Sequence, residues 1–184
     1  MQPFIDGLRE RLGSTGLVTD PAHMAPYLVD WRRVFSGSAL AVLRPASTDE
    51  VSAAVHLCAQ HGVAIVPQGG NTGLAGGATP MGSKPQVVLS LARMATIGKP
   101  DPIGMVVEAQ AGCILQRVKQ AVAECGRQLP ISIAAEGSAT IGGVIATNAG
   151  GVNVLRYGMA RDFVLGLEVV LPDGNVVNGM KPLR

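Results

Sequence analysis

Apolar residues recur at helical spacing near the start of the chain, at Phe4, Ile5, Leu8 and Leu12, and Gly13 ends the run. That period predicts an amphipathic helix. From Asp20 to Phe35 no clear period holds. Regular alternation of elements begins near Ala39. Leu40–Leu43 is a short apolar strand closed by Pro45, and Ser47 with Glu50 three residues on reads as a capping box. Val51, Ala54, Val55 and Cys58 then share one helical face, with Gly62 as its stop. Val63–Val66 is a second short strand, so strand, helix and strand form a parallel crossover unit. Further strands are predicted at Val87–Leu91 and Met105–Ala109. A helix is predicted through Ile114, Leu115, Val118, Ala121, Val122 and Cys125, capped by Gly126. A hairpin is predicted where Val164–Leu171 and Asn175–Val177 flank Pro172-Asp173-Gly174.

The pattern breaks into glycine twice. Residues Pro67 to Gly77 read PQGGNTGLAGG, and five of the nine residues Gly69–Gly77 are glycine. Several positions there can take φ > 0, and backbone N–H groups can converge on one anion. The loop follows the carboxyl end of a predicted parallel strand, the edge where ligands bind in α/β sheets. It has no Lys, so it is not a P-loop, and its glycine spacing is not that of a dinucleotide-binding Rossmann turn. The second cluster runs from Glu136 to Gly151. Ser138 or Thr140 is placed to cap a short helix starting near Ile141, whose N-terminus would suit a diphosphate. Gly142 and Gly143 offer bare backbone, Asn148 offers donors and an acceptor, and Gly150-Gly151 can turn sharply.

Composition narrows the rest. Aromatic content of 3% against 47% hydrophobic residues calls for an aliphatic core. A net charge of +2, from scattered basic residues, gives nucleic-acid binding no support. Cys58, Cys113 and Cys125 share no ligand spacing, and no CxxC or His pair offers a zinc site. Cys58 and Cys125 fall on apolar helical faces and read as reduced core residues. The N-terminus has no secretory pattern and the apolar runs are too short to span a bilayer, so a cytoplasmic chain without a transmembrane segment is expected.

Val66 to Leu74, Glu136 to Gly143, Thr147 to Gly151, Arg156-Tyr157-Gly158 and Gly166 to Gly174 together resemble the FAD-binding domain of the vanillyl-alcohol oxidase / p-cresol methylhydroxylase superfamily. The branch they are most similar to holds D-2-hydroxyglutarate dehydrogenase, D-lactate dehydrogenase and the FAD subunit of glycolate oxidase. The resemblance runs from about Asp30 to the C-terminus. It implies an α+β fold: a two-lobed FAD-binding domain with a small parallel β-α-β lobe and a larger, mostly antiparallel sheet with helices. On this reading residues 1–36 are a helical lead-in and 37–184 the FAD-binding domain. It further implies that Pro67, Gln68, Gly69, Gly70, Asn71, Thr72, Gly73 and Leu74 wrap the pyrophosphate. Gly137, Ser138, Thr140, Gly142 and Gly143 would continue toward the ribityl and flavin end, Asn148, Gly150 and Gly151 would line the flavin, and Pro130 would pack against the cofactor.

Some relatives attach FAD through a His in the first glycine loop. Asn71-Thr72 stand in this loop, with no His, so non-covalent FAD is expected. Family members run well over twice this length, which makes the chain look like an N-terminal fragment lacking its substrate domain. The implied reaction of the full enzyme is oxidation of a D-2-hydroxy acid (D-2-hydroxyglutarate, D-lactate or glycolate type) by hydride transfer to flavin N5. Electrons would pass on to a separate acceptor. No catalytic acid or base is identified, and the alternative is a flavin-binding module without turnover of its own.

Around the second cluster, Arg161 and Asp162 read as an ion pair, and Arg156 and Tyr157 read as turn residues in preference to contacts with cofactor or substrate. Glu136 has two readings, a ribose ligand or a cap on backbone N–H groups. Trp31-Arg32-Arg33 reads either as a surface patch or as a contact with a further domain.

Overall fold

The computed structural model describes residues 2–180. They fall into two compact units, one from the described residues of Met1–Arg93 and Leu165–Arg184, the other Met94–Val164. The last four residues of the predicted domain 37–184 lie outside the described residues.

The first unit is built on a four-stranded sheet of order β1-β2-β4-β3, with β1 Leu17–Val18, β2 Val42–Leu43, β3 Ala64–Gln68 and β4 Gln86–Ser90. β2 and β3 each pair with β4 in parallel, while β1 pairs with β2 antiparallel. Every residue of β4 is buried, as a central parallel strand covered on both faces requires. β3 is the outer strand, and that position lets Pro67, which has no N–H to give, stay in the ladder opposite Leu89. The predicted strand Val63–Val66 therefore runs on to Gln68, taking the first two residues of the glycine motif into the sheet.

Helix α1 spans Gln2–Gly16 and buries Phe4, Leu8 and Leu12. Gly13, at φ 66° and ψ −178°, leaves the helical conformation and ends the first helical run as expected; a short second segment, kinked away from it, carries on to Gly16. Pro21–Met24 is a single turn, α2, capped by Asp20. Helix α3, Thr48–Gln60, is capped by Ser47, which accepts the N–H of Glu50 as expected; the Glu50 carboxylate reaches one residue past the cap, to the N–H of Ala46. Its face of Val51, Ala54, Val55 and Cys58 is buried. The hairpin forms from β5 Glu168–Val170 and β6 Val176–Asn178, with Gly174 at φ 88° in its turn. It docks on α3 through Thr48 to Glu168 (2.6 Å) and Ser52 to the carbonyl of Gly174.

The second unit packs α4 Leu115–Ala123, α5 Ile141–Ala146 and the turn α6 Val154–Tyr157 around Leu115, Ile131, Ala139, Val144 and Ala160. α4 stops two residues short of Cys125, which is half-buried in the turn that follows. The expected strand Met105–Ala109 does not form. Asp101 and Val106 exchange both backbone hydrogen bonds, and the Asp101 carboxylate accepts the N–H groups of Ile103 and Gly104. That local turn puts Met105 at φ 53°, so the run of Val and Met residues bends instead of extending. The α+β class stands, with the parallel strand–helix–strand lobe in the first unit. Antiparallel pairing among the described residues lies in β1–β2, the β5–β6 hairpin and isolated bridges.

Candidate functional site

β3 and β4 are parallel neighbours, yet no helix lies in the connection between them. That connection is the first glycine loop. Gln68, only 5% exposed, closes its neck: the two side-chain amide hydrogens go to the carbonyls of Tyr27 (2.9 Å) and Ala78 (2.8 Å). Asn71 takes a left-handed backbone (φ 52°), which Asn tolerates better than most residues, and its side chain donates to the carbonyl of Val29 at 2.7 Å. Gly76, at φ 72°, sits against the ring of Phe35, where a side chain would collide with the ring at 2.8 Å. Arg32 donates to the carbonyl of Leu74 at 2.9 Å.

The buttress behind these contacts is the aperiodic stretch Tyr27–Phe35. Asp30, 1% exposed, accepts the N–H groups of Phe35 (2.7 Å) and Arg32 (3.3 Å) and folds the stretch into a tight turn. Those bonds, the one from Phe35 above all, hold its carboxyl below the ordinary carboxylate range. Trp31 remains exposed, while Arg32 bonds the loop of its own unit, a contact that neither reading of Trp31-Arg32-Arg33 named. Tyr27, Asp30, Arg32 and Phe35 were not among the expected site residues. An Asp opening an aperiodic segment is the signal of a side-chain-stabilised turn, but nothing local says that the turn abuts a loop forty residues away.

Main-chain donors of this loop are not engaged within the protein: among the described residues, no acceptor takes the N–H of any residue from Gly69 to Ala78, and Thr79 is the first to bond, to Gly76. Gly73 has no positive φ, and a side chain there would meet nothing within 4 Å. The packing of this unit therefore does not itself demand glycine at 73, as it does at 76. A row of unengaged donors on a braced loop, with bare backbone at Gly73, fits a phosphate-bearing group.

The second cluster is more fully engaged with its own unit. Ser138 and Ala139 donate to Ala135, Ile141 donates to Cys113 and Gly142 to Ala111, all within 2.8–2.9 Å. Thr140 occupies the N-cap position of α5, but its side chain makes no capping bond. The expected free N-terminus of α5 is thus half closed: among the described residues, Gly137, Thr140 and Gly143 keep N–H groups without an acceptor, and Ser138 and Gly142 do not. Gly142 is also packed on Ala111, whose methyl a side chain would meet at 2.8 Å. The Glu136 carboxylate caps no backbone N–H group among the described residues; it pairs with Lys119.

Asn148 (φ 50°) accepts the N–H of Arg161 at 3.1 Å and organises the turn beyond α5. Gly151 lies at φ 79° directly against the carbonyl of Ser132, so only glycine fits there. Gly150 faces Val154, and the carbonyl of Pro130 accepts the side chain of Asn153 at 3.0 Å. The expected Arg161–Asp162 pair does not form; Asp162 accepts the N–H of Met159 at 2.7 Å and closes that turn. Arg156 stacks over the ring of Tyr157, 5.2 Å from its centre. Among the described residues no group of His, Cys, Asp and Glu could hold a metal ion, and no helix is long and apolar enough to cross a membrane.

Residues 39–179 match the model of the FAD binding domain family. The mitochondrial D-2-hydroxyglutarate dehydrogenase of Bos taurus is 45% identical over 175 residues, covering 95% of this chain and 32% of that protein. The D-2-hydroxyglutarate dehydrogenase of Xanthomonas citri pv. viticola is 40% identical over 178 residues, covering 95% of this chain and 37% of that protein. The chain thus spans about a third of the length of these curated relatives. The solved alkyldihydroxyacetonephosphate synthase superposes with a TM-score of 0.87 at 21% identity, covering 97% of this chain and 35% of that one, which shows a shared fold.

Proposed function

Because the chain belongs to the FAD binding domain family, we propose that it is the FAD-holding part of a flavin-dependent oxidoreductase that oxidises a D-2-hydroxy acid. The family membership supports the cofactor, and the names of the D-2-hydroxyglutarate dehydrogenases support the substrate class. The observation that carries the reading is the unengaged row of N–H groups from Gly69 to Ala78. These donors hold the diphosphate of FAD. Pro67 and Gln68 anchor the loop in the sheet, Asn71 sets its turn, and Gly70, Thr72, Gly73 and Leu74 form its wall. Ser138, Gly142, Asn148, Gly150, Gly151 and Pro130 shape the second cluster more than they donate to a ligand.

When bound, FAD would supply the redox chemistry, as a hydride acceptor for the 2-hydroxy acid and an electron donor to a separate acceptor. The residues of this chain bind and orient the cofactor. The groups that clamp the substrate carboxylate and take the hydroxyl proton belong to the part of the relatives that this chain does not span. With no His in the first loop, attachment is non-covalent. The free, buried thiols of Cys58 and Cys113 support a reducing compartment, either the cytoplasm or the mitochondrial interior that the Bos taurus relative's name indicates.

The test is to titrate the purified chain with FAD, precipitate it with acid, and separately add D-2-hydroxyglutarate, D-lactate or glycolate without oxygen. Saturable flavin binding with colour released into the supernatant is expected. Colour kept in the pellet would contradict non-covalent attachment, and no binding would sink the cofactor reading. Flavin bleaching by a substrate would show turnover by this chain. Binding without bleaching favours the second reading, a flavin-binding module, which the one-third coverage of the relatives supports.

A further inference from the structure

The first glycine loop contains no cation, yet the fold brings one to it. Arg32 lies forty-two positions before Leu74 in sequence, and its guanidinium donates to the Leu74 carbonyl at 2.9 Å. The turn that presents it is held by Asp30, whose carboxylate accepts the N–H of Arg32 itself and of Phe35, while the N–H of Arg33 bonds the Asp30 carbonyl at 2.9 Å. Arg33 takes φ 59° in that turn. Among the described residues no carboxylate forms an ion pair with Arg32 within 4 Å, although the Asp30 carboxylate feels its charge. A guanidinium has five N–H donors in a planar fork; one bond to Leu74 leaves others for a second acceptor.

Resting on the reading of the loop as an FAD site, we infer that Arg32 is a positioning residue for the cofactor's phosphates. It fixes the main chain at Leu74 and places a positive charge beside the row of N–H groups at Gly69–Ala78. Two features support this over a surface role. The exposed Arg32 side chain is held to the wall of the loop by its bond to Leu74, and the turn delivering it is set by a buried carboxylate. In a phosphate site the missing loop lysine is then replaced by an arginine from a distant segment, and arginine is the cation whose fork suits a phosphate best.

The test compares the chain with Arg32→Ala, Arg32→Lys and Arg32→Gln, measuring FAD affinity by quenching of flavin fluorescence at low and high salt, and the melting temperature without FAD. Arg32→Ala is expected to weaken FAD binding about tenfold, the scale of one charge-assisted hydrogen bond, and to flatten its salt dependence, since salt screens an exposed charge. Arg32→Lys keeps the salt dependence, and Arg32→Gln loses it even if affinity partly recovers. The melting temperature without FAD stays close to that of the parent. Unchanged affinity in Arg32→Ala, or a salt dependence unchanged in both neutral variants, would overturn the inference. Failure of the parent chain to bind FAD would instead remove the functional reading on which it rests.

Discussion

The side-chain amide of Gln68 donates to the carbonyl of Ala78 at 2.8 Å and to that of Tyr27 at 2.9 Å, tying both ends of the first glycine loop to the turn behind it. Gln68 is buried at the end of β3, so no water readily replaces it. Gln68→Ala strands two carbonyls, each worth about 1–3 kcal/mol when left unpaired in a buried place. A lowered urea midpoint is expected, together with weaker FAD binding because the loop ends are no longer joined. A midpoint equal to that of the parent would show that the neck is held by something else.

Gly73 and Gly76 separate ligand demand from fold demand. At Gly76 an alanine faces both a left-handed backbone and the Phe35 ring, so Gly76→Ala is expected to destabilise the protein by roughly 1 kcal/mol or more without any ligand. At Gly73 neither obstacle exists. Gly73→Ala should leave the unliganded stability within about 0.5 kcal/mol while reducing FAD affinity. Paired thermal melts and FAD titrations read the two effects, and equal losses in the two melts would refute the distinction.

Asp30 makes the loop support sensitive to acid. Its folded-state carboxyl lies below the ordinary value of 3.8, held there first by the N–H of Phe35. The unfolded chain therefore binds the proton at higher pH than the folded one. The stabilisation is complete above about pH 4 and is lost as pH falls through the lower folded value. Asp30→Asn keeps an oxygen acceptor for Phe35 but no longer titrates. The stability gap between parent and variant, followed by urea unfolding from pH 7 down to pH 3, is expected to narrow at the acid end. A gap of constant size would show that Asp30 carries no such linkage.

Much of the first unit was legible along the chain. Ser47 and Glu50 announced α3, and the spacing of Val51, Ala54, Val55 and Cys58 named its buried face. The Pro172-Asp173-Gly174 turn announced the hairpin. These signals are short-range, carried by residues a few positions apart. The errors came where a local side chain outbid periodicity. The Asp101 carboxylate captured the N–H groups of Ile103 and Gly104 and bent the run expected as the strand Met105–Ala109. The residues with a place in both glycine motifs were nameable from the pattern, but their uses were not: Gly142 and Gly151 are glycine because Ala111 and Ser132 stand against them.

What the sequence determined by itself was α3 with the strands on either side of it, the hairpin, and the two glycine-rich loops with the chemistry they suit, because spacing, capping and glycine content act within a few residues. Tertiary structure decided which donors stay idle and what braces them. Gln68, Asn71 and Arg32 make their decisive bonds to partners ten to forty-two residues away, and a carbonyl is an acceptor whatever residue carries it. Sequence therefore leaves no mark of such a partner until the chain has folded and brought Tyr27–Phe35 against the loop.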